Sequence, residues 1–208
     1  MFYLIKTPRV VEKYLFPRYL WRIADKEKNI YLSFDDGPHP TITNFVLDQL
    51  KRFNAKASFF CIGKNVLAYP EIYKRIIYEG HSVGNHTHDH LNGWNVSDAV
   101  YLKNVTKASD CIDSKLFRPP YGKITGFQSK HVMETLHYHI IMWTVLSGDF
   151  DIRLSPEDCY KNVVRTASAG SIVVFHDSDK ALKRMSYALP RTLEYFSEKG
   201  YSFKNIIP

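Results

Sequence analysis

Asn29-Ile30-Tyr31-Leu32-Ser33-Phe34-Asp35-Asp36-Gly37-Pro38 is an apolar run that ends in two carboxylates and a turn. Residues 29–35 have the length and composition of a buried strand, and Gly37-Pro38 breaks it. Outward from there the pattern repeats. Residues 41–53, with Ile42, Phe45, Val46, Leu47, Leu50 and Phe53 on one stripe, predict an amphipathic helix, and 57–62 a strand. Residues 70–79 predict a helix opened by Pro70 and closed by Gly80, and 81–84 a short strand. Helices follow at 97–112 behind Ser97, at 127–136, at 156–168 behind Ser155-Pro156 and at 187–198. Strands are expected around Phe117 and at 139–143, 171–175 and 201–203. Such alternation predicts an α/β fold, mostly parallel strands with helices outside, as a barrel or a doubly wound sheet.

The 208 residues suffice for one well-buried core, and no repeat or low-complexity tract divides them. Residues 28–208 therefore read as one domain preceded by a basic, aromatic segment, 1–27. Within it, Tyr3, Leu4, Ile5, Tyr14, Leu15, Phe16 and Trp21 alternate with Lys6, Arg9, Lys13, Arg18 and Arg22. This segment is expected either to pack across the barrel bottom or a partner subunit, or to lie on an anionic membrane. Its apolar stretch stops at Lys6, unlike a signal peptide, and no run is long enough to span a bilayer. Cys61, Cys111 and Cys159 have no metal or disulfide spacing and read as free thiols. Together these features point to a cytoplasmic protein, with peripheral membrane attachment as the alternative. The net charge of +7 is scattered, without a recognition-helix, RNP or zinc-finger pattern. No nucleic-acid partner is expected, and the charge is assigned to an anionic substrate or surface.

Four segments carry chemistry. Neighbouring side chains on a strand point to opposite faces, so Asp35 and Asp36 can share a site only where the strand turns at Gly37-Pro38. One carboxylate can then bind a cation while the other stays free as a base; alone, the segment reads as a capped turn. His86 and His90 are four apart, so one helical turn would put both imidazoles on the same side, with His88 pointing away. With Asp36 they form a two-histidine, one-carboxylate set with open positions. In Arg118-Pro119-Pro120-Tyr121-Gly122 the guanidinium suits a carboxylate, Asp35 being the obvious one, and the Tyr121 N–H can donate to an oxyanion. His176 ends the strand 171–175, and Asp149 can accept from its ring and favour the imidazolium.

These segments resemble the polysaccharide deacetylases of carbohydrate esterase family four, the NodB-like domains. That family's signature runs T/S-F-D-D-G, H-[ST]-x-x-H, R-x-P-[YF], an Asp segment usually followed by Trp, and L-x-H. In this chain the order is Ser33 to Gly37, His86 to His90, Arg118 to Tyr121, Asp149-Phe150 and Val174-Phe175-His176. The resemblance covers roughly residues 28–205. It implies a distorted (β/α) barrel, 28–208 as the catalytic domain, and metal-dependent removal of N-acetyl or O-acetyl groups from a sugar. By the same resemblance Asp36, His86 and His90 hold one divalent ion, zinc ahead of cobalt, manganese, nickel or iron. Asp35 is then the base oriented by Arg118, Tyr121 the oxyanion donor, and His176 the acid tuned by Asp149. Phe150 replaces the usual Trp and Val174 the frequent Leu. With Pro120 they are the expected substrate-binding residues, and their departures bear on substrate choice more than on chemistry. A carbohydrate or lipid-linked amino sugar is the expected substrate. The alternatives are a non-catalytic carbohydrate-binding barrel and a same-fold amide hydrolase acting on a non-sugar. Oligomeric state is not legible.

Overall fold

Eight parallel strands and seven helices account for most of the chain in the computed structural model, which describes residues 3–24 and 26–207. The strands are β1 (Asn29–Asp35), β2 (Ala57–Cys61), β3 (Ser82–Asn85), β4 (Leu116–Phe117), β5 (His139–Ile140), β6 (Val145–Leu146), β7 (Ile172–His176) and β8 (Ser202–Phe203). The helices are α1 (Ile42–Arg52), α2 (Gly63–Ala68), α3 (Pro70–Tyr78), α4 (Asp98–Ser109), α5 (Gly126–Glu134), α6 (Pro156–Val164) and α7 (Asp179–Glu198). Seven strands run in the order β5-β4-β3-β2-β1-β7-β6, and β8 pairs with the start of β1. The sheet curls into a distorted barrel with the helices around it, one of the two forms the alternation allowed and the one the family resemblance implied.

Side-chain alternation separates two environments on each central strand. Ile30, Leu32 and Phe34 of β1, with Val173 and Phe175 of β7, face the helices in the main hydrophobic cluster with Val46, Leu50, Met185 and Leu193. Tyr31 and Ile172 instead join Phe60, Leu116 and Ile141 in a second cluster. Continuing the same parity places Ser33, Asp35, Val174 and His176 on the inner side. The β1–β7 register pairs Ser33 with Val174 and Asp35 with His176, so a carboxylate and an imidazole end adjacent strands side by side.

Several elements differ from the sequence-based expectation. The expected strand 139–143 shortens to β5, and a separate strand not anticipated, β6, follows at the opposite end of the sheet path. Residues between them bond to the N-terminal segment instead. The Leu20 N–H donates to Ile140 O, the Met142 N–H to Leu20 O, the Thr7 N–H to Thr144 O and the Leu146 N–H to Ile5 O. Residues 3–24 thus border the opening of the barrel rather than only crossing its bottom. Trp21 is buried, while Val10, Tyr14, Leu15 and Phe16 stay exposed. Helix α7 begins at Asp179 rather than 187 and runs through Pro190, because the buried stripe Ala181, Met185, Ala188, Leu189, Leu193 and Phe196 continues across it. Helix α2, six residues long, is too short for periodicity to reveal. Cys61 and Cys159 are buried free thiols, as expected, and Cys111 is free and half-buried. Among the described residues no helix is long and apolar enough to cross a membrane.

Candidate active site and metal cluster

Arg118 follows β4 and is wholly buried. Its Nη1 donates to Asp35 Oδ1 at 2.6 Å and to Ser33 Oγ at 2.8 Å, and its Nε and Nη2 donate to the carbonyls of Ile141 and Met142 at 3.1 Å each. The guanidinium lies 3.9 Å from the centroid of the Phe60 ring. Burial pulls its pKa below the ordinary value, opposed by the Asp35 charge. Every side of this cation is therefore satisfied, which a buried charge requires.

Next to it the chain turns at Asp36, whose φ of 86° lies in the left-handed region. Thr87, His90 and Tyr121, with φ of 62°, 58° and 60°, share that conformation. For such residues it costs on the order of 1–3 kcal/mol each and persists only where surrounding contacts impose it. At Asp36 the imposing contacts come from Asp177, which follows the β7 strand. Asp177 Oδ1 accepts from the Gly37 N–H at 2.9 Å, Oδ2 accepts from the Thr43 hydroxyl, and the Asp177 N–H donates to Asp35 O. A Cβ on Gly37 would fall 2.1 Å from Asp177 Oδ2, so only glycine admits this close approach. Asn65 of α2 adds a bond to the Asp36 carbonyl at 2.7 Å.

His86 and His90 do not lie on a helical turn. Residues 86–90 form a loop after β3, held by Asn85, which accepts from the Thr87 N–H, and by Asn104 of α4, which accepts from the N–H groups of His88 and Asp89. The loop still turns both imidazoles toward Asp36. His86 Nε2 is 3.9 Å and His90 Nε2 3.2 Å from Asp36 Oδ1, and the ligand atoms of all three residues lie within 4.8 Å of one another. His88 points elsewhere: its Nδ1 would lie 2.7 Å from a Cβ on Gly63. The His86 Nδ1–H donates to Arg118 O at 2.7 Å, which leaves Nε2 as a lone pair facing Asp36. Burial lowers the His86 pKa to about 4, so the ring is neutral at physiological pH. Burial alone would raise the Asp36 carboxyl, but the His90 contact and the nearby His176 charge outweigh it and hold it well below the ordinary carboxylate range. Asp36 Oδ1 is buried without a hydrogen-bond partner, with His90 Nε2 3.2 Å away. An orphaned anionic oxygen facing two imidazole nitrogens fits a divalent cation.

Across the cleft, Asp149 is fully buried, accepting from the His176 N–H and ring Nδ1–H at 2.7 Å each. Arg184 of α7 donates to the Asp149 carbonyl. Burial alone would lower the His176 pKa, yet the Asp149 charge and hydrogen bond, with Asp36 and Asp35 beyond, push it up to about 10. His176 is thus an imidazolium at neutral pH.

A cleft of about 480 Å³ brings these groups together, lined by Asp35, Asp36, His86, His90, Tyr121 and His176. Phe150 and Val174 line it as expected. Pro120 does not: it is buried at the start of a tight turn, Pro120–Gly122, and the cleft wall there is Tyr121. Trp143, Leu146 and Tyr3 also line the cleft and were not anticipated. Tyr3 carries no local signal, since only the pairing of residues 5–7 with β6 brings it there. Asp177 is contiguous with the His176 segment, but its partners Gly37 and Thr43 are distant in sequence.

Residues 22–140 match the family model for polysaccharide deacetylase. The chain belongs to this family, the polysaccharide deacetylases of carbohydrate esterase family four. It is 35% identical over 198 residues to a peptidoglycan-N-acetylglucosamine deacetylase of Bacillus cereus, covering 89% of this chain and 90% of that protein. A chitooligosaccharide deacetylase of Azorhizobium caulinodans is 31% identical over 163 residues, 75% of this chain and 77% of that one. The fold matches the crystal structure of a peptidoglycan N-acetylglucosamine deacetylase bound to 4-naphthalen-1-yl-N-oxidanyl-benzamide. The TM-score is 0.85 at 32% identity, covering 95% of this chain and 94% of that one. It also matches a pseudoenzyme of the family from Bacillus anthracis, with a TM-score of 0.79 at 25% identity, covering 91% of this chain and 68% of that one.

Two outcomes follow from these polar networks. Arg118→Ala strands a buried Asp35 carboxylate and is expected to destabilise the fold by about 3–5 kcal/mol in chemical denaturation, with Asp35→Asn in the same chain recovering part of the loss. Asp177→Ala frees the Gly37 turn and is expected to weaken divalent-metal affinity by about 10- to 100-fold in calorimetric titration, with Asp177→Asn closer to wild type.

Proposed function

We propose that this chain is a metal-dependent hydrolase that removes acetyl groups, N-acetyl ahead of O-acetyl, from an amino-sugar-containing carbohydrate. The observation that carries the reading is the side-by-side placement of Asp35 and His176 at paired positions of β1 and β7. Each is held by its own buried partner of opposite charge, and both face one cleft with the Asp36–His86–His90 cluster. A binding-only barrel has no need for two such poised proton-transfer groups beside a metal cluster.

Asp36, His86 and His90 would hold the divalent ion, zinc ahead of cobalt, manganese, nickel or iron. Bound there it would polarise an acetyl carbonyl and acidify a water. Asp35, oriented by Arg118, takes the proton from the attacking water. The oxygen of that water forms the new bond to the carbonyl carbon. The Tyr121 N–H, presented by its left-handed turn, donates to the oxyanion. His176 Nε2 gives its proton to the sugar nitrogen as the C–N bond breaks, so acetate and a free amine leave. Asp149 holds Nδ1–H, which fixes the tautomer and stabilises the imidazolium before transfer. Val174, Leu146 and Phe150 supply an apolar lining suited to the acetyl methyl.

The named activities of the relatives support a glycan containing N-acetylglucosamine, peptidoglycan-like or chitin-like, as the substrate class. A lipid-linked amino sugar is the alternative suggested by the basic N-terminal segment. Acetate release from N-acetylglucosamine oligomers, from peptidoglycan fragments and from a lipid-linked amino sugar tests the assignment. Wild type is expected to lose activity on chelation and regain it with zinc or cobalt, while Asp35→Asn and His176→Ala fall by about 10²- to 10⁴-fold in kcat. Activity of either variant near wild type overturns the base and acid roles of these two residues, and absence of acetate from every substrate overturns the deacetylase reading.

The acid's pKa sets a basic limb. With the His176 pKa raised from 6.5 to about 10, the protonated acid persists through neutrality and is lost only as pH rises through that upper value. Asp149→Asn removes the charge that raises it, so the basic limb of the kcat profile is expected to move down toward neutral pH.

A further inference from the structure

We infer that Tyr3 is a substrate-contacting residue: with Phe150 it builds the cleft wall beside His176 against which a sugar ring of the N-acetylated glycan lies. The inference rests on the carbohydrate reading above and extends it to the part of the substrate that is not cleaved.

Tyr3 reaches the cleft because the chain after it pairs with the far edge of the sheet. Lys6 bridges Val145 in antiparallel sense, the Thr7 hydroxyl donates to Trp143 O at 2.8 Å, and the Leu146 N–H donates to Ile5 O. The ring is then clamped at its other end. Its hydroxyl donates to Asp151 Oδ2 at 2.9 Å, and Arg153 grips both oxygens of Asp151, at 2.9 and 2.6 Å. The hydroxyl proton is consumed inside the protein, so the ring face is what is left for a ligand. Gly148, at φ 80°, makes the bend beneath it, and a Cβ there would meet Leu154 at 2.7 Å and the Tyr3 hydroxyl at 3.3 Å.

From this anchor an aromatic series leads to the acid. Tyr3 packs on Phe150 with centroids 5.0 Å apart at 59°, and Phe150 meets the His176 ring at 5.2 Å and 73°. Tyr121 and Trp143 line the same cleft as Tyr3 and Phe150. Flat apolar faces beside polar groups, with Ser178, Asp179 and Lys180 also on the lining, suit a pyranose, whose C–H faces are apolar and whose hydroxyls lie at its edge. Ordering a segment near the N-terminus and locking one of its aromatic rings at both ends costs conformational entropy, and a ring already fixed loses none on binding. Phe150 alone is a small wall; Tyr3 extends it outward from the acid.

Calorimetry with an N-acetylglucosamine tetramer, alongside kcat and KM for the tetramer and for 4-nitrophenyl acetate, tests this in the full chain. Tyr3→Ala and Tyr3→Leu are expected to weaken tetramer binding and raise its KM by about ten-fold, the size of losing one such contact. Tyr3→Phe should bind like wild type, and in Tyr3→Ala and Tyr3→Leu the loss should fall on the tetramer KM rather than on kcat. Tyr3→Leu preserves bulk, so it answers the question should Tyr3→Ala fail to fold. Unchanged affinity in Tyr3→Leu, or a fall in kcat on both substrates at constant KM, overturns the inference, the latter by making Tyr3 a support for His176. Tyr3-dependent binding without acetate release would sink the deacetylase reading and leave the Tyr3 wall standing; acetate release with Tyr3-independent binding would do the reverse.

Discussion

One buried cation organises this molecule. Arg118 has no access to solvent, and its guanidinium bonds to Asp35 and Ser33 on β1 and to the carbonyls of Ile141 and Met142 beyond β5. It thereby ties the centre of the sheet to the stretch where the strand path opens. Its own carbonyl accepts from His86 Nδ1, so the same residue that orients a carboxylate also sets the tautomer of an imidazole in the Asp36–His86–His90 group. A charge placed in the interior is tolerated only with its partners complete, so the sheet, Asp35 and the Asp36–His86–His90 group cannot be rearranged independently.

Around that cation the charges are segregated by strand register. β1 and β7 end level with one another, one in Asp35 beside Arg118, the other in His176 beside Asp149. Each of the two side chains faces a buried partner of opposite sign, and the Asp149 contact holds His176 as an imidazolium at neutral pH. Asp177 links the two halves, since the residue after His176 holds the turn that carries Asp36. The left-handed residues Asp36, Thr87, His90 and Tyr121 gather at this rim, where side-chain networks from α1, α2 and α4 hold the backbone.

Long elements with one environment per face were legible in the sequence. β1, β7, α1 and α4 follow their periodicity within a few residues, and the strand-end location of Asp35, Arg118 and His176 follows from them. The grouping of Asp36, His86 and His90 was legible too, although for a different local reason: the expected helical turn is a loop shaped by Asn85 and Asn104. Elements set by distant partners were not legible. β4, β5 and β6 are two residues each, and their limits depend on what lies beside them, including residues 5–7 and 20 of the N-terminal segment. The helix expected at 187–198 starts earlier, at Asp179, and the continuous buried stripe carries it through Pro190. Pro120 was expected to contact substrate, but the turn puts it inside and its neighbour Tyr121 on the wall.

The Asp149 contact holds His176 as an imidazolium, and the charge on His176 is the sharpest probe of the proposed proton-transfer arrangement. Nitrogen NMR of histidine-labelled protein, with His176→Gln to assign the signal, reports the ring nitrogens through a pH titration. The expected signal is an imidazolium well above neutrality that titrates near 10, with Nδ1 still protonated after the transition. A ring that is already neutral at pH 7, with its transition at or below the ordinary 6.5, would contradict it.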